Sequence, residues 1–182
     1  WDIYSGDNTR FDGPYWRGER DERHLTPNSI KQIYTDLSVA VLGNRYGMTA
    51  GYLYDQSYKN GIGKWHSGVD MGAPAGTQVK TVTSGTVAWT WYDSARGAFI
   101  AVIDSDGKQW VYGHLQSTVG FYTGQSIGQG QVIGRIGNQS LAHHLHLEVR
   151  TSGNGGGHSD QNRVRNNTMS PLQAFWQLQR NM

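Results

Sequence analysis

Three of the chain's seven histidines fall within four consecutive positions, in Ala142-His143-His144-Leu145-His146-Leu147-Glu148. Read as a strand, this stretch sends alternate side chains to opposite faces, so His144, His146 and Glu148 share one face and Leu145, Leu147 and Val149 the other. Imidazoles on one face of a strand whose other face packs on a core suit a metal such as zinc, but they do not complete its ligand set. The remaining ligands have a source in Trp65-His66-Ser67-Gly68-Val69-Asp70. Gly68 and Gly72 argue against a helix there, and alternation puts His66, Gly68 and Asp70 on the same face. The small Gly68 is expected to leave room for an ion. A further candidate, His114, ends the aromatic run Trp110-Val111-Tyr112-Gly113-His114-Leu115.

Other chemistries are excluded by what the chain lacks. It has no cysteine, so neither a thiol nucleophile, a disulfide nor a thiolate metal site exists, and a transition metal must use His, Asp or Glu. There is no His-Glu-x-x-His helix to supply a glutamate base, and Gly124-Gln125-Ser126-Ile127-Gly128 has the Gly-x-Ser-x-Gly spelling without the strand-to-helix context of a nucleophile elbow. Histidine must therefore move the protons. Metal-assisted amide hydrolysis is the reaction class that these residues support.

His66-x-x-x-Asp70, Tyr112-Gly113-His114-Leu115 and His144-x-His146-x-Glu148, in that order and spacing, resemble the lysostaphin/LytM-type zinc endopeptidases that cut peptidoglycan peptides. The likeness runs from about Gly61 to Arg150. It includes Pro74-Ala75-Gly76-Thr77, Ser84-Gly85-Thr86-Val87 and Ile133-Gly134-Arg135-Ile136-Gly137-Asn138. The resemblance implies that His66, Asp70 and His146 bind Zn2+, and that His114 and His144 are catalytic without binding it. Three protein ligands would leave the fourth tetrahedral position open, as in a catalytic centre. Between them, His114 and His144 would take a proton from water, stabilise the oxyanion and protonate the leaving amine. Glu148 would orient His146 or His144 from behind.

Family members usually carry a small pair before the His-x-His, where this chain has Ala142-His143; alternation turns His143 away from the site. The resemblance further implies a substrate in peptidoglycan stem peptides or cross-bridges and an extracytoplasmic location, whether periplasmic, in the cell wall or secreted. A monomer is expected. Degenerate relatives lose ligands, and this chain keeps all of the residues named above. That favours an enzyme over a non-catalytic or autoinhibited peptidoglycan-binding or activator module of the same fold. A zinc peptidase acting on ordinary proteins would share the site and differ in its groove.

The elements that must position these residues are mostly short strands: Gln78–Val82, Thr86–Tyr92, Ala98–Asp104, Trp110–His114, Gln131–Ile136 and His144–Arg150, with Asp106-Gly107 as a hairpin turn. The expected fold is mainly β, an antiparallel sandwich or partly open barrel of the lysostaphin-peptidase type, with an N-terminal and a short C-terminal helix. Thr26-Pro27 opens the first helix, with Ile30, Ile33, Tyr34, Leu37 and Val41 at helical spacing and Gly43-Asn44 at its end. Ser170-Pro171 opens the last. Residues 1–25 are expected to form an irregular aromatic arm, with covering of the site as its alternative role, 26–60 the helix and a Gly/Tyr-rich lead-in, and 61–182 the catalytic core with the C-terminal helix, all within one compact domain. In the lead-in, Tyr54 or Tyr58 is a loose match to a family tyrosine that assists catalysis. Thr151–Gly157 is expected to be flexible loop, His158 and His24 to lie on the surface, and the glycines from Gly124 to Gly137 to mark turns.

At 182 residues the chain suits one domain, and Lys plus Arg exceed Asp plus Glu by only two, without a sustained basic run. Nucleic acid is therefore not an expected partner. No apolar run approaches the ~20 residues that span a bilayer, and no signal-peptide pattern opens the sequence. It begins at Trp1 rather than Met, as a mature product or a piece of a longer protein would.

Overall fold

Alternation along the strands builds one antiparallel sheet. The computed structural model describes residues 27–53, 64–138, 143–153 and 155–180. Its main sheet places β1 (Gly47–Ala50), β2 (Gly68–Gly72), β9 (Leu145–Arg150), β6 (Gln109–Leu115), β5 (Gly97–Ile103), β4 (Gly85–Asp93) and β7 (Ser126–Ile127) side by side in that order. The short β10 (Thr168–Met169) pairs with the end of β9. A separate two-stranded ribbon joins β3 (Gln78–Lys80) and β8 (Val132–Arg135). The sheet is not a closed barrel; with the ribbon it fits a partly open sandwich.

The apolar side of β9, Leu145, Leu147 and Val149, is fully buried. It packs in one cluster with Val69 and Met71 of β2, Trp110 and Tyr112 of β6, and Val79 and Ile133 of the ribbon. The same cluster takes in Ile30, Ile33, Tyr34, Leu37 and Val41 of helix α1 (Pro27–Leu42), the residues whose spacing marks a helix in the sequence. Gly43 ends α1 as expected: at φ +78 its N–H reaches Val39 O at 2.9 Å. Helix α3 (Pro171–Arg180) packs against α1 and β9, contributing Leu172 and Phe175. Because the core, ribbon and helices occupy one face of β9, the opposite face carrying His146 and Glu148 is left for chemistry.

The expected strands lie within about two residues of their bounds, with one difference that matters at the site. His66 and His144 precede β2 and β9 rather than lying within them. Regular structure resumes at His158, directly after the glycine-rich stretch. Asp160 caps helix α2 (Gln161–Asn167) by accepting from Asn162 N–H, and His158 is only partly exposed, its carbonyl accepting the Trp65 N–H at 2.8 Å. His158 thereby ties down the segment leading into His66. The expectations for the arm, His24, Thr26, Tyr54 and Tyr58 lie outside the described residues.

Gly68 also has a different reason from the expected one. A Cβ there would stand 2.1 Å from Leu147 O, so glycine is required by the close approach of β2 to β9, not by space for an ion. Gly68→Ala is expected to destabilise the fold by about 1–3 kcal/mol or more, as overpacking against backbone does, measured as a lower urea midpoint. An unchanged midpoint would mean that the two strands are not so tightly held.

Candidate active site

Strand register assembles the site. In the β2–β9 pair Asp70 stands opposite His146, and in the β6–β9 pair Gly113 does. His66 is brought alongside by the turn into β2. Its Nδ1–H donates to Gly51 O at 2.9 Å, which leaves the Nε2 lone pair facing Asp70 Oδ1 at 3.1 Å. On the other side of the same oxygen, His146 Nδ1 lies at 3.0 Å, and its Nε2 meets Glu148 Oε1 at 3.0 Å. Glu148 is buried. Its Oε1 also accepts from Ser67 Oγ at 2.5 Å and its Oε2 from Arg150 Nε at 2.5 Å. The Arg150 guanidinium in turn lies 5.0 Å from the centre of the Trp89 ring. This chain of contacts holds the His146 ring with Nδ1 turned inward.

Charge follows from these contacts. Burial alone would raise the pKa of Asp70, but His66, His144 and His146 around it hold it well below the usual carboxylate range. Burial works against ionised Glu148 too, and the His146, Arg150 and Ser67 contacts outweigh it, leaving its pKa at about 2. Burial lowers the pKa of His146, yet hydrogen bonds to Asp70 and Glu148 take it up to about 10. Carboxylates that draw a proton so strongly onto the ring also favour a cation beside it.

The donor set fits zinc. The ligand atoms of His66, Asp70 and His146 lie within 4.8 Å of one another. Bonds of about 2.0–2.2 Å in a tetrahedral site put donors about 3.3–3.5 Å apart, and the two nitrogen-to-Asp70 separations here are 3.1 and 3.0 Å. The other nitrogen of each ring is already engaged, with Gly51 O or Glu148. Glu148→Gln keeps the shape but replaces the carboxylate that holds His146, and zinc affinity is expected to fall about 10–100-fold, read by competition with a chromogenic chelator.

Two more imidazoles border this cluster. His144 Nε2 is 3.7 Å from Asp70 Oδ2, and the His144 ring centre is 4.7 Å from that of His114. His114 arrives by an irregular route. Pairing shifts between Ala98 and Phe99, so His114 is the extra residue of a bulge, and its backbone sits at φ +67. Since Tyr112 faces the core, strict alternation would send His114 there as well; the bulge turns it into the groove instead. Its Nδ1–H donates to Arg96 O at 2.7 Å, leaving Nε2 as an acceptor. Burial, then the nearby His146 charge, lowers its pKa to about 4. His114 is therefore expected to stay neutral through the neutral and mildly acidic range and to titrate only near pH 4, visible in its ring nitrogen shifts, and a nearby cation would push the transition lower still.

These groups line an open groove of about 920 Å³, together with Trp89, Trp91 and Phe99. Residue spacing brought His66, Asp70, His114, His144 and His146 into view, and all of them meet here. His143 is exposed and apart from the groove lining, as alternation implies. The carbonyls of Gly51 and Arg96, which orient two of the rings, carry no signal in residue type. Ser67 and Arg150 were within reach of sequence reasoning, since Arg150 follows His146 and Glu148 at two-residue intervals on one strand face.

Comparison with known proteins accords with this geometry. The model of Peptidase family M23 matches residues 64–160, more than half of the chain and a span holding all of these site residues. The chain belongs to peptidase family M23. It is 33% identical over 117 residues to endolysin 2638A of Staphylococcus phage 2638A, covering 57% of this chain and 24% of that protein. It is 38% identical over 104 residues to lysostaphin of Staphylococcus simulans, covering 54% and 20%. The catalytic domain of the antimicrobial peptidase lysostaphin from Staphylococcus simulans superposes with a TM-score of 0.56 at 27% identity, over 72% of this chain and 92% of that one. The M23 chain spans 20–24% of the length of the curated relatives it matches. The lysostaphin/LytM resemblance and the mainly antiparallel fold read from sequence both hold.

Proposed function

We propose that this chain is a zinc-dependent endopeptidase that hydrolyses peptide bonds in peptidoglycan stem peptides or cross-bridges, acting outside the cytoplasm. The observation that supports it most is the convergence of His66 Nε2, Asp70 Oδ1 and His146 Nδ1 beside two further imidazoles in an open groove. Zinc, when held by His66, Asp70 and His146, supplies a Lewis acid that polarises the scissile carbonyl and makes water acidic near neutral pH.

The other side chains handle the protons. His114, neutral with its Nε2 lone pair available, accepts the proton of the attacking water as its oxygen bonds to the carbonyl carbon. His144, beside Asp70 Oδ2, is placed to donate to the developing oxyanion and then to the amine as the carbon–nitrogen bond breaks. Glu148 moves no proton to substrate in this scheme. It holds His146, and Ser67 and Arg150 hold Glu148.

The test is mass spectrometry of fragments released from isolated, cross-linked peptidoglycan with and without a zinc chelator. Chelator-sensitive loss of dimeric muropeptides is the expected result, and it identifies the bond. If no fragment appears from protein carrying one zinc, the chain is a binding or activator module, or its site is covered.

A further inference from the structure

Beyond the zinc cluster, the groove has a charge pattern of its own. Its acidic lining residues are Asp70 and Glu148, and both are committed to histidine, serine or arginine partners. The exposed charges on the lining are positive: Lys64, two residues before His66, and Arg96, in the turn between β4 and β5. Sheet order sets β9 and β6 between β2 and that turn, so the cations come from either side of the histidines.

The Arg96 position is built, not incidental. Asp93 Oδ1 accepts from the backbone N–H of Ala95 at 2.9 Å and of Arg96 at 2.6 Å, and Gly97 at φ +84 closes the turn. The Arg96 carbonyl holds His114, so the residue is fixed beside a proton-handling imidazole. Its side chain is 61% exposed, with Asp93 Oδ2 at 3.9 Å from Nε, and its guanidinium carbon lies 6.0 Å from the centre of the Trp91 ring. Trp91 is itself 45% exposed and continues through Phe99, at 5.4 Å, to His114, at 5.2 Å. An aromatic shelf carrying a solvent-facing guanidinium is suited to a flexible chain with a carboxylate near its scissile bond. A glycine bridge has no side chain for the shelf and no charge for the arginine.

We propose that Arg96, with Trp91, is a specificity-determining residue that binds a substrate carboxylate, so that the groove takes anionic stem-peptide cross-links in preference to neutral glycine bridges. This rests on the peptidase reading above. The experiment compares three synthetic substrates: a cross-linked stem-peptide dimer with free carboxylates, the same dimer with those carboxylates amidated, and pentaglycine. kcat/KM is measured for wild type, Arg96→Gln and Arg96→Lys. Binding of both dimers to chelator-treated protein, where no turnover occurs, is followed by tryptophan fluorescence.

Wild type is expected to favour the free dimer over the amidated one and over pentaglycine. Arg96→Gln is expected to reduce the free-to-amidated ratio about tenfold or more, mainly through KM, and to do the same to the ratio of binding constants. Arg96→Lys is expected to restore part of it, since charge remains but the planar fork is lost. The proposal is overturned if Arg96→Gln leaves both ratios unchanged, or if wild type prefers pentaglycine or the amidated dimer. If nothing is cleaved, the peptidase reading fails, and the binding ratios still decide whether Arg96 reads a carboxylate.

Discussion

His146→Ala is expected to bring the proposed peptidoglycan cleavage to background and to leave less than one zinc per chain, and a strong chelator is expected to do the same to the wild-type protein. The expected loss of rate is about a thousandfold or more, the scale of several kcal/mol of transition-state stabilisation supplied by a metal. The size of the effect follows from where the ring sits. His146 Nδ1 is one of the converging donors, and its Nε2 lies between that cluster and buried Glu148. Removing it leaves Asp70 and Glu148 as neighbouring carboxylates without the imidazole between them, and His66 with Asp70 offers too few donors for tight binding. The fold is expected to survive, because β9 is anchored by Leu145, Leu147 and Val149 on the opposite face. Metal analysis, muropeptide chromatography and circular dichroism on one preparation check all of this. A variant that keeps its zinc and its activity would remove His146 from the ligand set.

His114→Ala and His144→Ala separate proton handling from metal binding. Each is expected to keep one zinc per chain and to lower kcat about 10²–10⁴-fold, the range for loss of a general acid or base. Neither ring belongs to the compact donor cluster, although His144 comes within 3.7 Å of Asp70 and His114 within 4.7 Å of His144, centre to centre. If both serve one proton path, the double variant falls little further than the worse single one. Loss of zinc from His144→Ala would make that ring a ligand, and full activity in either variant would end its catalytic role. The alanine at position 114 must also adopt φ +67, a conformation unfavourable for any residue with a Cβ. His114→Asn, which tolerates the left-handed region better, is therefore the companion variant, expected to be as inactive while keeping the wild-type melting temperature more closely.

Much of the site was legible in the chain because β-strands alternate strictly. His146 and Glu148 had to share a face opposite Leu145, Leu147 and Val149, and the structure keeps that division. The α1 helix was equally legible, since its apolar residues recur at the spacing of one helical face. What escaped was order without periodicity. The Thr151–Gly157 stretch reads as a flexible loop, yet backbone pairing between His158 and Trp65 and the Asp160 cap organise the segment that follows it. Such contacts depend on which distant backbone groups meet, and side-chain type does not encode them.

The sequence alone determined the chemistry: which residues could bind a metal, that no thiol competes with them, and, through their order and spacing, the family. Only the tertiary structure decided the geometry. The register of β2 against β9 set Asp70 opposite His146, the missing Cβ of Gly68 beside Leu147 O made that approach possible, and a bulge turned His114 away from the core face of Tyr112 and into the groove. The physical reason is that residue types fix donors, acceptors and charges locally. Their distances arise from backbone hydrogen bonds between strands far apart in the chain, and one unpaired residue in that ladder reverses the face a side chain occupies.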